Sequence, residues 1–312
     1  MNRVPDPLRL ALLVLALAFF PLCLSAEEPK TYSVCSWNVE NWLEGDHYIH
    51  GQHVLHTPKP EEEKKAVISI LKKLSPDILA VQEIGREKKF QDEFTTRLKE
   101  AGLNYPQSVS CAGWDERLGL MLFSRFPMKV QTFDDTYTLQ GETYHVERGF
   151  IQAEVTMPGG EKLTVLTDHL KSRRATPPGK PSEGIVRDKE AEALRGHMDK
   201  IFHDAPHARI LVLGDMNDTI DSQTLKTLLG RGSERLHDLS LRDYLRDWWT
   251  EYYYPADTYS RIDFMLVSES LLSDQLPAES FIYREKMEDP VEMRWASASD
   301  HRPIFARFKV PK

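Results

Sequence analysis

Cysteine is almost missing from this chain: three residues of 312, namely Cys23, Cys35 and Cys111. A scaffold built on many disulfides is excluded, and so is a structural zinc site made of thiolates. An excess of positive charge is lacking as well. Lys and Arg number 40 against 48 Asp and Glu, and the net charge of −8 excludes a protein that coats nucleic acid through general basicity. A local basic cleft, or bound cations that supply the missing charge, stays open. Internal repeats and long linkers are absent, and beyond residue 24 no apolar run reaches the roughly 18–20 residues that cross a bilayer.

What is present begins at the N-terminus. Arg3 and Arg9 precede a nearly unbroken apolar stretch, Leu10 to Leu24, and Leu24-Ser25-Ala26 offers small residues before Glu27. A positive start, a short apolar stretch and a small-residue cut site read as a secretory signal peptide over residues 1–26. The stretch is too short for a membrane anchor and contains Pro21, while Leu22 is too bulky for lipidation at Cys23. The mature protein is therefore expected to be exported, periplasmic or extracellular. Export permits a Cys35–Cys111 disulfide, but sequence sets no distance between the two, and the pairing stays open.

Residues 27–312 read as one domain. Thr31 to Val39 suits a strand, ending in Asn38 and Glu40, which share a side if the strand continues. Leu43 to Pro60 is a polar insertion, read as a loop, in which His47, His50, His53 and His56 recur every third residue. A metal-binding tract and a His-rich loop both fit that spacing. Pro60 and Glu61, Glu62 and Glu63 open a helix with Val67, Ile70, Leu71 and Leu74 on its buried face, stopped by Ser75-Pro76. Further strands are expected at Asp77–Glu83, Tyr105–Ala112, Leu118–Phe126, His145–Met157 and Lys162–Leu170.

Helices are expected at Phe90–Ala101, Ile185–Phe202 and Thr224–Leu229, and Ser172 to Gly184 reads as a basic loop. Ile210-Leu211-Val212-Leu213 reads as a strand buried on both faces and ended abruptly by Gly214-Asp215-Met216-Asn217. The segment Leu236–Tyr254 is aromatic and acidic and has no clear assignment. Strands and helices interleave without a strict βαβ rhythm. The fold expected is α+β, a two-sheet, mainly antiparallel β-sandwich flanked by helices.

Polar residues collect at the ends of these strands: Asn38, Glu40, Glu83, His169, Asp215, Asn217, Asp263, Asp300 and His301. Asp263 interrupts an apolar strand pattern. A lone charge there costs several kcal/mol, on the order of the penalty for an unpaired buried ion, so a partner is needed, and His301 can serve. Acids and amides without thiols are hard oxygen donors suited to Mg²⁺ or Mn²⁺, with Ca²⁺ also open in an exported protein. Two imidazoles beside carboxylates suit proton transfer.

Seven strings carry a resemblance: Ser36-Trp37-Asn38-Val39-Glu40, Val81-Gln82-Glu83, Gly119 to Pro127, Asp168-His169-Leu170-Lys171-Ser172, Leu213 to Asn217, Ser260-Arg261-Ile262-Asp263 and Ser299-Asp300-His301-Arg302-Pro303. In order and content the chain resembles the endonuclease/exonuclease/phosphatase superfamily, the DNase I-like enzymes, and among them secreted bacterial members. The resemblance implies a four-layer fold and metal-assisted phosphoester hydrolysis. It makes Glu83 the principal metal ligand, with Asn38, Glu40 and Asp300 near the ion; Glu40 stands where many relatives have Asp. It gives Asp215 the attacking water, Asn217 a phosphate oxygen, and His301, backed by Asp263, a phosphate contact or proton transfer.

His169 takes the place of the second His of DNase I-like members. Lys171, Arg148 and Arg173 are expected to balance substrate charge, though Arg148 equally suits an ion pair with an acid on a neighbouring strand. The expected substrate is a nucleic acid, DNA or RNA, with a phosphomonoester or lipid headgroup as the alternative and a turnover-less binding module as a third. A monomer without an obligate protein partner is expected.

Overall fold

The computed structural model describes residues 31–49, 52–174, 176, 178–290, 293–294, 296 and 298–310. The expected signal peptide and Cys23 lie outside them, as does His50. In chain order the first elements are β1 (Thr31–Trp42), β2 (Glu44–Ile49), β3 (Gln52–Pro58), α1 (Glu61–Leu74), β4 (Ile78–Gly85), α2 (Lys88–Glu100), β5 (Gln107–Cys111) and β6 (Leu118–Ser124). There follow β7 (Met128–Phe133), β8 (Thr136–Leu139), β9 (Glu142–His145), β10 (Phe150–Thr156), β11 (Lys162–His169), α3 (Glu183–Asp204), β12 (Ile210–Asp215) and α4 (Gln223–Leu229). The last are β13 (Leu236–Asp238), β14 (Glu251–Tyr253), β15 (Thr258–Ser260), β16 (Asp263–Ser268), α5 (Glu269–Leu272), β17 (Phe281–Ile282) and β18 (Ile304–Lys309).

Two six-stranded sheets carry the fold, in the orders β17-β18-β1-β4-β6-β5 and β13-β16-β12-β11-β10-β7. Both follow one plan. A central parallel pair, β1 with β4 in one sheet and β11 with β12 in the other, is flanked on each side by antiparallel strands. A parallel pair needs a long crossover, and α1 and α3 supply the two. The α+β sandwich of mainly antiparallel sheets flanked by helices is the architecture found.

Strand alternation sorts the side chains into layers. Between the sheets lie Tyr32, Val34, Ile78 and Ala80 from one and Leu163, Val165, Leu211, Leu213, Met265 and Val267 from the other. On the outer faces, Cys35, Trp37, Leu79 and Val81 pack under α1 and α2, and Leu166, Val212, Phe264 and Leu266 pack under α3 and α4. Each fully buried side chain of this size stabilises by about 1.5–3 kcal/mol. Gly214 is required where β12 runs beside Asp168 of β11, because a Cβ there would collide with the Asp168 carbonyl oxygen.

Three local expectations change. The insertion read as a loop is the β2–β3 hairpin, whose polar sequence hid its pairing. The hairpin register shifts at His56, which has φ +50°, and among the described residues His47, His53 and His56 are not drawn into a group of metal-ligating side chains. The strand expected at His145–Met157 is broken at Val146–Gly149, where Gly149 has φ +69° and the 113–117 loop takes the backbone bonds: Trp114 N donates to Val146 O and Asp115 N to Glu147 O. Cys35 and Cys111 are both free thiols.

Candidate active site

The sandwich core turns polar towards one edge. Gln82 of β4 donates to Ser36 Oγ of β1 (3.1 Å) and lies 3.5 Å from Thr167 Oγ1 of β11, so a polar layer spans both sheets beyond the aliphatic one. One step further lie the carboxyl ends of both parallel pairs, the position where open α/β sheets hold ligands. There Asn38 Nδ2 donates to Glu83 Oε1 and to Asp215 Oδ2, both at 3.0 Å. This one amide ties the two sheets together at the site.

Glu83 reaches that point through a distortion. Alternation along β4 would aim it with Leu79 and Val81 towards the helices, but the register shifts between Gln82 and Ile84 and Glu83 has φ +64°. Its Oε2 accepts from Asn41 N at 2.9 Å. A matching shift in β1 places Glu40 and Asn41 at φ +50° and +51°. Glu40 Oε2 then accepts from Asp300 N (3.0 Å), and buried Lys59 donates to Glu40 O (2.9 Å). Non-glycine residues held in this region cost on the order of 1–3 kcal/mol each, and they gather at functional sites.

These acids disturb one another. Burial raises the Glu40 carboxyl above its ordinary value, with Glu63 and Glu83 adding and Lys59 opposing. Burial and Glu40 hold the Asp300 carboxyl well above its usual range, with Glu83 and Glu251 adding. Asp215 is buried and pushed up to about 7 by burial, with Asp263 adding and His301 opposing. Carboxylates so arranged favour a cation among them.

The two imidazoles sit in opposite states. Burial alone would lower His301, but Asp263 and Asp215 outweigh it and hold the ring well above its ordinary value. His301 Nδ1 meets Asp263 Oδ2 at 2.9 Å, and its Nε2 lies 3.8 Å from Asp215 Oδ2 and 3.9 Å from Asp300 Oδ1. Burial, then Arg148 and His301, hold His169 well below its ordinary value. His169 Nε2 lies 3.5 Å from Asp215 Oδ2 and 3.9 Å from Glu83 Oε1. A cationic and a neutral imidazole therefore flank one carboxyl.

Asn217, at φ +52°, donates through Nδ2 to Leu170 O (3.0 Å), and its own N–H donates to Asp215 Oδ1 (3.0 Å). The three cations expected near substrate differ in exposure. Arg148 is buried, with Nε 3.3 Å from Asp115 and Nη1 3.1 Å from Glu147, the ion-paired arrangement. Lys171 Nζ is 2.9 Å from Glu147. Arg173 is the most exposed of the three; its Nε donates to Asn217 O at 3.2 Å.

Several supports escape a reading of the sequence. Thr250 Oγ1 accepts from the N–H groups of Ile262 and Asp263, both at 3.1 Å, and no pattern marks it. Ser299 Oγ donates to Asn38 O (2.8 Å) and accepts from His301 N (3.0 Å), and its place in the Ser-Ala-Ser-Asp-His string is the only signal. Glu190 of α3 is buried and accepts from Glu147 N (2.9 Å) and Lys171 N (2.6 Å), fixing two strand ends from behind.

Two sets of possible metal donors lie at this edge, and among the described residues one of them is drawn together. Asp215, Asp263 and His301 each bring one ligand atom within 4.8 Å of the others, yet Asp263 and His301 are already bonded to each other. Glu83, Glu40 and Asp300 carry oxygen donors alone, the chemistry of a hard divalent ion, but they are not drawn into such a group: both Glu83 oxygens accept, from Asn38 Nδ2 and Asn41 N, and Asn38 Oδ1 accepts from Glu40 N.

Solved structures share the fold. Truncated TDP2 from Caenorhabditis elegans is 18% identical with a TM-score of 0.58, covering 90% of this chain and 98% of that one. The human Nocturnin catalytic domain is 16% identical at 0.60, covering 89% and 94%. Sphingomyelinase C from Streptomyces griseocarneus is 16% identical at 0.59, covering 90% and 100%. A search of curated proteins found no match. The model of the Endonuclease/Exonuclease/phosphatase family matches residues 35–301, from β1 to His301, and the chain belongs to that family of metal-dependent phosphoester hydrolases.

Proposed function

We propose that the chain is an exported, divalent-metal-dependent phosphodiesterase that acts alone, without an obligate protein partner, and cleaves nucleic acid. The observation that carries this reading is the opposition across one small site of an acid group, Glu83, Glu40 and Asp300, and a proton-handling group, Asp215, His301 and Asp263. Cationic side chains that would otherwise neutralise a phosphate are largely paired with acids, which leaves the positive charge to an ion.

Mg²⁺ or Mn²⁺, when held by Glu83 with Glu40, Asp300 and Asn38 beside it, supplies Lewis acidity to a phosphate oxygen. The chain's own groups do the rest. Asp215, poised near 7, takes the proton from the attacking water and aligns it in line with the scissile bond. His301, kept protonated by Asp263, donates from Nε2 to the phosphate and steadies the charge that grows there. Asn217 uses one amide hydrogen on Leu170 O and offers the other to the substrate. Arg173 meets the flanking phosphate.

The test offers plasmid DNA, RNA, bis-p-nitrophenyl phosphate and p-nitrophenyl phosphate to the purified protein with Mg²⁺, Mn²⁺, Ca²⁺ or EDTA. Metal-dependent cleavage of diesters, with a polymer preferred, is the expected result. Turnover of the monoester alone would replace this reading with a phosphatase.

A further inference from the structure

Asp263 and His301 meet at 2.9 Å although they come from different sheets: Asp263 opens β16, and His301 leads into β18. At Asp263 the second sheet is short of a strand. β12 pairs with β16 as far as Asp263, but β13 pairs only with Leu266–Ser268, so the far side of Asp263 has no ladder partner there. A buried N–H at such a place needs another acceptor.

Thr250 supplies it. The residue is fully buried, and its Oγ1 accepts from Asp263 N and Ile262 N, both at 3.1 Å. Its backbone reaches the other partner. Thr250 O accepts from Arg302 N (2.7 Å), Glu251 forms a β-bridge with His301, and Tyr252 N donates to Asp300 O (2.9 Å), so residues 250–252 run antiparallel to 300–302. One strand spacing, about 4.8 Å, separates the two backbones. A single residue thus holds the strand of Asp263 by its hydroxyl and the strand of His301 by its carbonyl.

Arg302 locks that residue from behind. Its side chain is fully buried; Nη1 donates to Asp243 Oδ2 (2.8 Å), Nε donates to Trp249 O (3.1 Å), and the guanidinium carbon lies 3.5 Å from the Trp249 ring centre. Asp243 in turn accepts from Leu245 N and Asp247 N, both at 2.9 Å, which fixes the irregular chain leading to Thr250. A buried ion pair adds little net stability, because desolvation offsets the attraction, but these directed bonds leave Trp249 and Thr250 one arrangement.

We propose that Thr250 is a positioning residue for the hydrolysis: its hydroxyl sets the separation of Asp263 and His301 and so aims His301 at the phosphate. The inference rests on the roles given above to those two residues, and it adds a third that touches neither substrate nor ion. A hydroxyl can accept both N–H bonds at once, whereas valine has the same shape without the oxygen.

The experiment measures kcat and KM at saturating Mn²⁺ in wild type, Thr250→Val, Thr250→Ser and Asp263→Asn, on whichever of bis-p-nitrophenyl phosphate and p-nitrophenyl phosphate the wild type turns over. Mn²⁺ affinity is read by calorimetry alongside. Thr250→Val is expected to lower kcat roughly 10–100-fold, the usual range for a partner that orients an active side chain, with KM and Mn²⁺ affinity little changed. Thr250→Ser, which keeps the acceptor, is expected to restore kcat. An unchanged kcat in Thr250→Val, an equal loss in Thr250→Ser, or a loss confined to KM or to Mn²⁺ affinity overturns the proposal. Hydrogen exchange in the wild type checks the same bonds without a variant: the Ile262 and Asp263 amides should be protected, and exchange as fast as in an open loop also overturns it. If Asp263→Asn keeps full kcat, or the wild type is inert to both esters, the reading beneath the proposal fails with it. A large loss in Asp263→Asn with none in Thr250→Val leaves that reading standing and removes Thr250 alone.

Discussion

The two sheets are built to one plan and end differently. At the carboxyl end of its parallel pair, the β1–β4 sheet breaks register twice and holds Glu40, Asn41 and Glu83 at positive φ. The β11–β12 sheet runs in register to His169 and Asp215 and bends only afterwards, at Asn217. Bulges re-aim side chains. The first half uses them to bring Glu40 and Glu83 to the edge where Asp300 and His301 lead into its own β18, whereas the second delivers His169, Asp215 and Asp263, the partner of His301. On the proposed mechanism the labour divides: Glu83, Glu40 and Asp300 hold the ion, while Asp215 and His301, the latter fixed by Asp263 from the other sheet, move protons and steady charge.

The division breaks first at Glu83. Glu83→Ala should lower kcat by at least about 10³-fold, since Lewis-acid stabilisation is worth several kcal/mol, while the thermal midpoint measured without metal changes little. A variant that keeps full activity removes Glu83 from the ion. In the other half, Asp215→Asn should cost roughly 10²–10³-fold in kcat at saturating metal, the range of a lost general base. A rise in KM with kcat intact would give Asp215 a positioning role.

A pH profile sharpens the contrast further. Activity should rise as Asp215 ionises near 7 and fall at higher pH as His301 loses its proton. Removing the Asp263 carboxylate lowers the His301 pKa, so in Asp263→Asn the alkaline fall should move to lower pH. An unmoved alkaline limb would mean that another group titrates there.

The smallest effect concerns the support behind the second half. Glu190 is pushed up to about 7 by burial, above the ordinary 4.5. The folded state then binds the proton more tightly than the unfolded one, so this group's contribution to stability is full below about 4.5 and is lost as pH rises through about 7. Relative to Glu190→Gln, the wild type should lose on the order of 3 kcal/mol across that window, read as urea midpoints at pH 4 and pH 8. A constant difference would show that Glu190 titrates alike in the folded and unfolded states.

Much of the site was legible because burial forces polar groups to pair. Asp263 inside an apolar strand demanded a partner, and His301 is that partner at 2.9 Å. Abrupt strand ends at Gly214-Asp215 and Gln82-Glu83 marked where the polar residues collect. The direction of Glu83 was not legible: plain alternation aims it at α1 and α2, and the bulge that turns it inward leaves no mark in composition. The β2–β3 hairpin escaped because β3 buries little and the described buried positions of β2 are Gly45 and His47, which give no apolar rhythm. The break at Val146–Gly149 depends on the 113–117 loop, a contact distant in sequence. Arg148 fits either an ion pair or a phosphate by type alone, and only its neighbours Asp115 and Glu147 show the pairing.

The most direct test of the divided site is calorimetric titration of Mn²⁺ into wild type, Glu83→Ala and Asp263→Asn. The account predicts a binding heat in wild type that is lost in Glu83→Ala and kept in Asp263→Asn. Wild-type binding in Glu83→Ala with loss in Asp263→Asn would place the ion in the other half and contradict it.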